Sequence, residues 1–266
     1  MEPQPEQPTP PAQPGPPAQP ELISEQADGV ARLTVHNPGK RNAMTPDMWR
    51  RMPELLAQLA ADTSVRALVL TGAGATFCAG ADITTLRKSP ETSQGLAVAA
   101  EEALSAFPKP TLAAVRGHCV GGGAQLAAAC DLRFASAGAL FGITPAKLGI
   151  VYPASSTQRL VRLVGPATAK YLLFSGELID AERALRIGLV DEVHPDEALE
   201  ARVGDFARTL AARSQLTQAA AKEFVDGRGG PARADHWLSV ARESGEAAEG
   251  VTAFLERRPA RFTWTP

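Results

Sequence analysis

Apolar and polar residues alternate in short blocks along this chain, and the blocks predict a succession of strands and helices. Residues 22–26 and 30–36 read as two strands with Asp28 and Gly29 between them, as in a hairpin. Thr45 can cap a helix that begins with Pro46 and runs to about Ala61, and Pro53 is expected to bend or restart it. Residues 67–71 (ALVLT) and 111–115 (TLAAV) have the length and branching of buried strands, and residues 91–107 read as mostly helical.

The alternation continues beyond that point. Residues 132–135 read as a strand, and the glycine and prolines after Leu140 predict an ordered loop before a helix over 155–164. Asp180 is placed to cap a helix that stops at Gly188, and residues 189–193 fit one more strand. From Asp196 onward the pattern is helical, broken at 227–231. An alternating body followed by helices alone predicts an α/β fold with a helical C-terminal part, whose helices need a surface such as a neighbouring subunit.

The stretch that organises the rest is 111–131, TLAAVRGHCVGGGAQLAAACD. A buried strand leads into Gly121, Gly122 and Gly123, which open a run of small helix formers. Glycines at a helix start leave amide N–H groups uncovered, and the macrodipole adds roughly half a positive charge there. Such a place suits a phosphate, a carboxylate or an oxyanion formed during reaction, and it equally suits a close-packed turn with no ligand. The second glycine-rich run, GAGATFCAGADI at 72–83, has neither dinucleotide-binding nor P-loop spacing.

Composition narrows the classes. The 266 residues are 44% hydrophobic, ample for a large core, and a net charge of -2 gives no electrostatic footprint for nucleic acid or an anionic membrane. A small-molecule partner is expected. Cys78, Cys119 and Cys130 show no CxxC spacing and the four histidines are scattered, so no metal site is expected and the thiols fit a reducing, cytoplasmic setting. No run of about eighteen apolar residues is present. Residues 1–20 hold nine prolines among polar residues and are expected to form a disordered tail, with a proline-rich partner ligand as the alternative.

Taken in order, NPGKRNAM, LVLTGAGATFCAGADI, KPTLAAVRGHCVGGGAQLAAACDLRFAS, FGITPAKLGIVYPASSTQRL, SGELIDAERALRIGLVDEV and GVTAFLERR resemble the enoyl-CoA hydratase/isomerase (crotonase) superfamily across residues 22–262. The resemblance implies a spiral of ββα turns over 21–200 that carries the active site, and a helical oligomerisation region over 201–266. It implies homotrimers or hexamers and acyl-CoA thioester substrates, with coenzyme A as part of the substrate and no separate cofactor. By similarity, the backbone N–H groups of Ala81 and Gly122 form an oxyanion hole around the thioester oxygen. Lys40, Arg41, Ala43, Ala79, Asp82 and Ile83 lie along the CoA moiety on the same basis, although Lys40 and Arg41 also read as a solvated basic pair.

The chain departs from the family where hydratases place two glutamates. Counting from Gly122 the first position is Gln125, and counting from Phe141-Gly142 the second is Pro145. An amide is no base and proline has no functional side chain, which argues against two-carboxylate hydration. The segment ITPAKLGIVY resembles the decarboxylase branch that uses alkylmalonyl-CoA, and the resemblance places Thr144 and Tyr152 near the leaving carboxylate. Gln125, one helical turn beyond Gly122, should face the same pocket, or it serves as a structural amide; Tyr152 equally fits a core tyrosine. Decarboxylation is therefore expected ahead of hydration or isomerisation. Two rival readings remain: acyl-CoA binding without turnover, and a cysteine-dependent α/β-hydrolase in which Gly117 to Gly121 is a nucleophile elbow, with Cys119 served by Asp180 or Asp191 and His194 or His236.

Overall fold

The computed structural model describes residues 19–86 and 90–266, and the expected tail at 1–20 lies almost wholly outside them. In chain order the elements are β1 (Glu21–Ala27), β2 (Val30–His36), α1 (Pro46–Ala61), β3 (Ala67–Gly72), α2 (Ile83–Leu86), α3 (Pro90–Ser105), β4 (Thr111–Val115), β5 (His118–Val120), α4 (Gly122–Ala129) and β6 (Leu132–Ser136). Next come β7 (Leu140–Gly142), α5 (Pro145–Leu148), α6 (Ala154–Ser175), β8 (Leu178–Asp180), α7 (Ala181–Arg186) and β9 (Glu192–His194). Helices α8 (Asp196–Ala211), α9 (Gln215–Val225), α10 (Pro231–Ser244) and α11 (Glu246–Leu255) complete the chain.

Among the described residues the strands form two sheets, one ordered β1-β2-β3-β4-β6-β9 and the other β5-β7-β8. The larger sheet is parallel from β2 to β9, with β1 folded back antiparallel on β2. Because strand side chains alternate faces, Leu68, Leu70, Ala113 and Val115 enter the main core with Trp49, Met52 and Leu56 of α1. Their neighbours Val69, Leu112, Ala114 and Phe134 point the other way, against Leu199, Val203 and Ala207 of α8. Coverage of both faces explains why these strands read as continuous apolar runs.

The hairpin, β3, β4, β6 and the Asp180-capped α7 stand where the sequence predicts them. Pro53 does not break α1, which runs unbroken to Ala61. Its buried face of Met48, Trp49, Met52, Leu55, Leu56 and Leu59 holds the helix across the missing hydrogen bond. Helix α6 passes the expected end at Val164 and continues through a kink at Gly165-Pro166, since proline is well placed to restart a helix. The expected loop after Leu140 contains β7 and the single-turn α5, and the last strand is only Glu192–His194.

Asp131, just past α4, ties distant parts together. Its Oδ2 accepts from the backbone N–H of Thr111 at 2.8 Å and from Lys222 Nζ of α9 at 2.9 Å. Arg133, buried in β6, donates to the Leu189 and Cys130 carbonyls at 2.9 and 2.7 Å and to Asp191 Oδ2 at 3.1 Å.

Candidate active site

Three chain segments meet at the start of α4. Residues 77–80 run beside β5, with Cys78 N donating to His118 O at 2.9 Å and Val120 N to Cys78 O at 3.0 Å. On their other side Met44 N donates to Gly80 O at 2.8 Å and Asp82 N to Met44 O at 2.9 Å, a parallel bridge centred on Ala81. In such a bridge the flanking residues 80 and 82 make the bonds to Met44, so the N–H of Ala81 is directed away from it. Gly122 is the first residue of α4, and its N–H therefore has no acceptor inside the helix.

These two amides are neighbours. A Cβ on Gly122 would lie 3.4 Å from Ala81 N, and one on Gly80 would lie 3.4 Å from Gly122 N. Gly80 has φ +104°, a conformation that L side chains rarely adopt, so glycine is what permits this approach. The geometry suits a single oxygen that gains negative charge, held by two preorganised donors.

A cleft with about 160 Å³ of space opens beside the pair, lined by Trp49, Gly80, Ala81, Gly122, Gln125, Thr144, Pro145, Leu148, Ile150 and Tyr152 among others. The structure thus brings Ala81, Gly122, Gln125, Thr144 and Tyr152 to one place, although they come from three separate stretches of sequence. Pro145 is the first residue of α5 and stands in the same wall, so the position of the second family glutamate faces the cleft without a carboxylate. A Cβ on Gly121 would come 3.9 Å from Thr144 Oγ1, which sets that hydroxyl beside the glycine turn.

Of the positions expected along the CoA moiety, Ala79 lines the cleft and Ile83 stands at its mouth, 66% exposed. Lys40 Nζ bonds Asp82 Oδ2 at 2.7 Å. Burial would raise the pKa of Asp82, but Lys40 and Thr84 outweigh it and hold the carboxyl below the usual range. Ala79 N donates to Arg41 O at 3.0 Å, so Arg41 and Ala43 belong to the loop that braces the 78–82 segment.

The sequence reading missed Glu101, Ser156 and Arg159. Gln125 Nε2 donates to Ser156 Oγ at 3.0 Å, Ser156 donates to Glu101, and Arg159 ion-pairs with Glu101. Burial raises the Glu101 pKa, opposed by the Ser156 hydrogen bond and the Arg159 charge. Glu101 and Ser156 line a second cavity of about 10 Å³, close to the space of one water, which shares Gln125 and Tyr152 with the cleft. Burial, followed by the Glu101 charge, raises the pKa of Tyr152, so its hydroxyl keeps its proton and remains a donor. A signal for Glu101 did exist, since it falls on the buried stripe of α3 with Ala97, Ala100 and Leu104.

The cysteine-hydrolase reading is corrected here. Cys119 is fully buried in β5 and burial lifts its thiol well above the ordinary range, so it is not a thiolate nucleophile. Its supposed partners are engaged elsewhere: Asp180 caps α7, Asp191 pairs with Arg133, and His194 with Glu192.

A parallel sheet, a glycine turn and two neighbouring amides beside a mostly apolar cleft define an α/β fold with a small-molecule site. The enoyl-CoA hydratase/isomerase family model matches residues 25–265, and the chain belongs to that family. It is 36% identical to the (E)-benzylidenesuccinyl-CoA hydratase of Thauera aromatica, over 90% of this chain and 97% of that protein. It is 34% identical to the crotonyl-CoA hydratase of Syntrophomonas wolfei, over 91% and 97%. A solved enoyl-CoA hydratase/isomerase family member superposes with a TM-score of 0.87 at 39% identity, covering 93% of this chain and 100% of that one. An enoyl-CoA hydratase from Bacillus anthracis gives 0.86 at 28% identity, covering 91% and 98%.

Proposed function

We propose that this protein decarboxylates a malonyl-type acyl-CoA ester, with the thioester oxygen held by the amides of Ala81 and Gly122. The observation that carries the reading is a pair of neighbouring amides, Ala81 and Gly122, on a cleft that, among the described residues, no carboxylate lines. Loss of carbon dioxide breaks the bond between Cα and the carboxylate carbon, and the electron pair passes into the thioester as an enolate. No base has to remove a proton first. Each amide donor contributes about 2.7 to 4 kcal/mol to holding the developing oxyanion. Thr144 and Tyr152, as hydroxyl donors on the cleft wall, hold the carboxylate out of the thioester plane so that the breaking bond overlaps the carbonyl π system.

A second reading, hydration or isomerisation of an enoyl-CoA, is favoured by the relatives named as hydratases. It needs an acid and a base in place of Gln125 and Pro145. Incubation with methylmalonyl-CoA, ethylmalonyl-CoA and crotonyl-CoA, followed by carbon dioxide release and thioester mass, decides between them. Carbon dioxide from either malonyl ester with crotonyl-CoA unchanged supports the proposal. Hydrated crotonyl-CoA with no carbon dioxide overturns it.

The CoA moiety is assigned to the Lys40, Arg41, Ala43, Ala79, Asp82 and Ile83 face, adjoining the amide pair through the 78–82 segment. The assembly is a homotrimer or hexamer built on the C-terminal helices, where Val225, Val251, Phe254 and Leu255 are exposed. Light scattering of the full chain gives the mass that tests it.

A further inference from the structure

The hydrogen-bonded chain behind the cleft plays no part in the chemistry above, yet it fixes the polarity of the Gln125 amide, which lines the cleft. Arg159 pairs with one oxygen of Glu101 and Ser156 donates its hydroxyl to the other. A serine hydroxyl has a single proton. With that proton on Glu101, Ser156 can only accept from Gln125, and the Gln125 Nε2 group is indeed the end that meets it, at 3.0 Å. A carboxamide carries its oxygen on the side opposite its nitrogen, and Gln125 also lines the cleft.

We infer that Gln125 presents its carbonyl oxygen to the acyl group as a hydrogen-bond acceptor, with Glu101 and Ser156 as the positioning residues that set this orientation. The group it recognises is an O–H donor next to the reacting carbons, either a bound water or a hydroxyl of the acyl chain, and not a carboxylate. A water held there is in place to return a proton to the enolate carbon, leaving hydroxide for solvent to neutralise. The arrangement also accounts for an amide at this position. A carboxylate at 125 would find no proton on Ser156 and would face the charge of Glu101 across one hydroxyl. The inference rests on the cleft being the acyl-CoA site and is independent of decarboxylation.

Two measurements on the full chain test it. The side-chain amide resonances of Gln125, identified by their loss in Gln125→Leu, should move in Ser156→Ala and stay in place in Ser156→Thr, which keeps the hydroxyl. Unmoved resonances in Ser156→Ala overturn the assignment. Calorimetric titration then compares butyryl-CoA, 3-hydroxybutyryl-CoA and the non-decarboxylating 2-sulfopropionyl-CoA on wild type and Gln125→Leu. A selective loss of about tenfold for the hydroxyacyl ester identifies a substrate hydroxyl as the donor. Equal affinities together with the resonance shift identify water. A selective loss for the sulfonate ester shows the amide reversed and overturns the inference. Carbon dioxide release does not enter either readout, so the failure of the proposed reaction is seen separately.

Discussion

Gly122 sits against Trp49 so closely that a Cβ on the glycine would lie 2.9 Å from the indole Cζ2. The indole is buried in the core, so a methyl group there displaces the backbone instead of the ring. Gly122→Ala is expected to cost about 1 to 3 kcal/mol of stability by overpacking. It should lower kcat on the true acyl-CoA substrate about 10²- to 10³-fold through misplacement of one amide donor. Thermal melts and steady-state kinetics measure both effects. In a double-mutant cycle with Trp49→Leu the loss caused by Gly122→Ala should shrink, and an undiminished loss in the Trp49→Leu background would refute the steric account.

Cys119 is expected to be chemically inert. Cys119→Ala should turn over acyl-CoA at the wild-type rate, and iodoacetamide should label the native thiol far more slowly than in urea, because burial keeps it protonated. Mass spectrometry of the labelled protein checks this. Fast native labelling with loss of turnover would return the cysteine to the mechanism.

Two surface pairs give the C-terminal helices an acid sensitivity. Arg233 bridges both oxygens of Glu223 at 2.6 and 2.7 Å, and Arg258 bridges those of Glu249 at 2.7 and 2.9 Å. These guanidinium hydrogen bonds lower each glutamate to about 2. A depressed folded pKa contributes stability that is present above the unfolded value of about 4.3 and is lost as pH falls toward about 2. Trp237 donates to Glu223 and lies 5.9 Å from the Trp264 ring, so indole fluorescence reports on this region. The emission should change between about pH 4.3 and 2, and Arg233→Gln should move the transition upward. A transition that ignores Arg233→Gln would assign the acid response elsewhere.

Arg133 is a costly polar group to remove. It is buried, with bonds to the carbonyls of Leu189, Cys130 and Asp131 and to the Asp191 carboxylate. Arg133→Met leaves those acceptors unpaired and is expected to cost about 3 to 5 kcal/mol in urea unfolding. A loss below about 1 kcal/mol would show that water replaces the guanidinium.

What the sequence made legible follows the strength of local signals. The branched apolar strands, the Thr45 and Asp180 caps and the glycine turn at 121–123 are each written in neighbouring residues, and each stands where expected. Strands β5, β7 and β8 have only three residues apiece, too few for periodicity to register, and they exist because they pair with one another. Resemblance to relatives located Ala81, whose N–H is directed by a backbone bridge to Met44 that no side-chain pattern records. The contact of Glu101 with Ser156 spans 55 positions, and nothing near either residue announces the other.

The Asp131 carboxylate joins the foot of the helix that bears Gly122 to Lys222, on the first helix of the trio that departs from the core. Strain applied to that trio is therefore delivered to the C-terminal end of α4 through an ionic rivet. A shortened chain ending before Lys222 would lose this ion pair and leave the Asp131 carboxylate bonded to Thr111, at the start of β4 in the larger sheet.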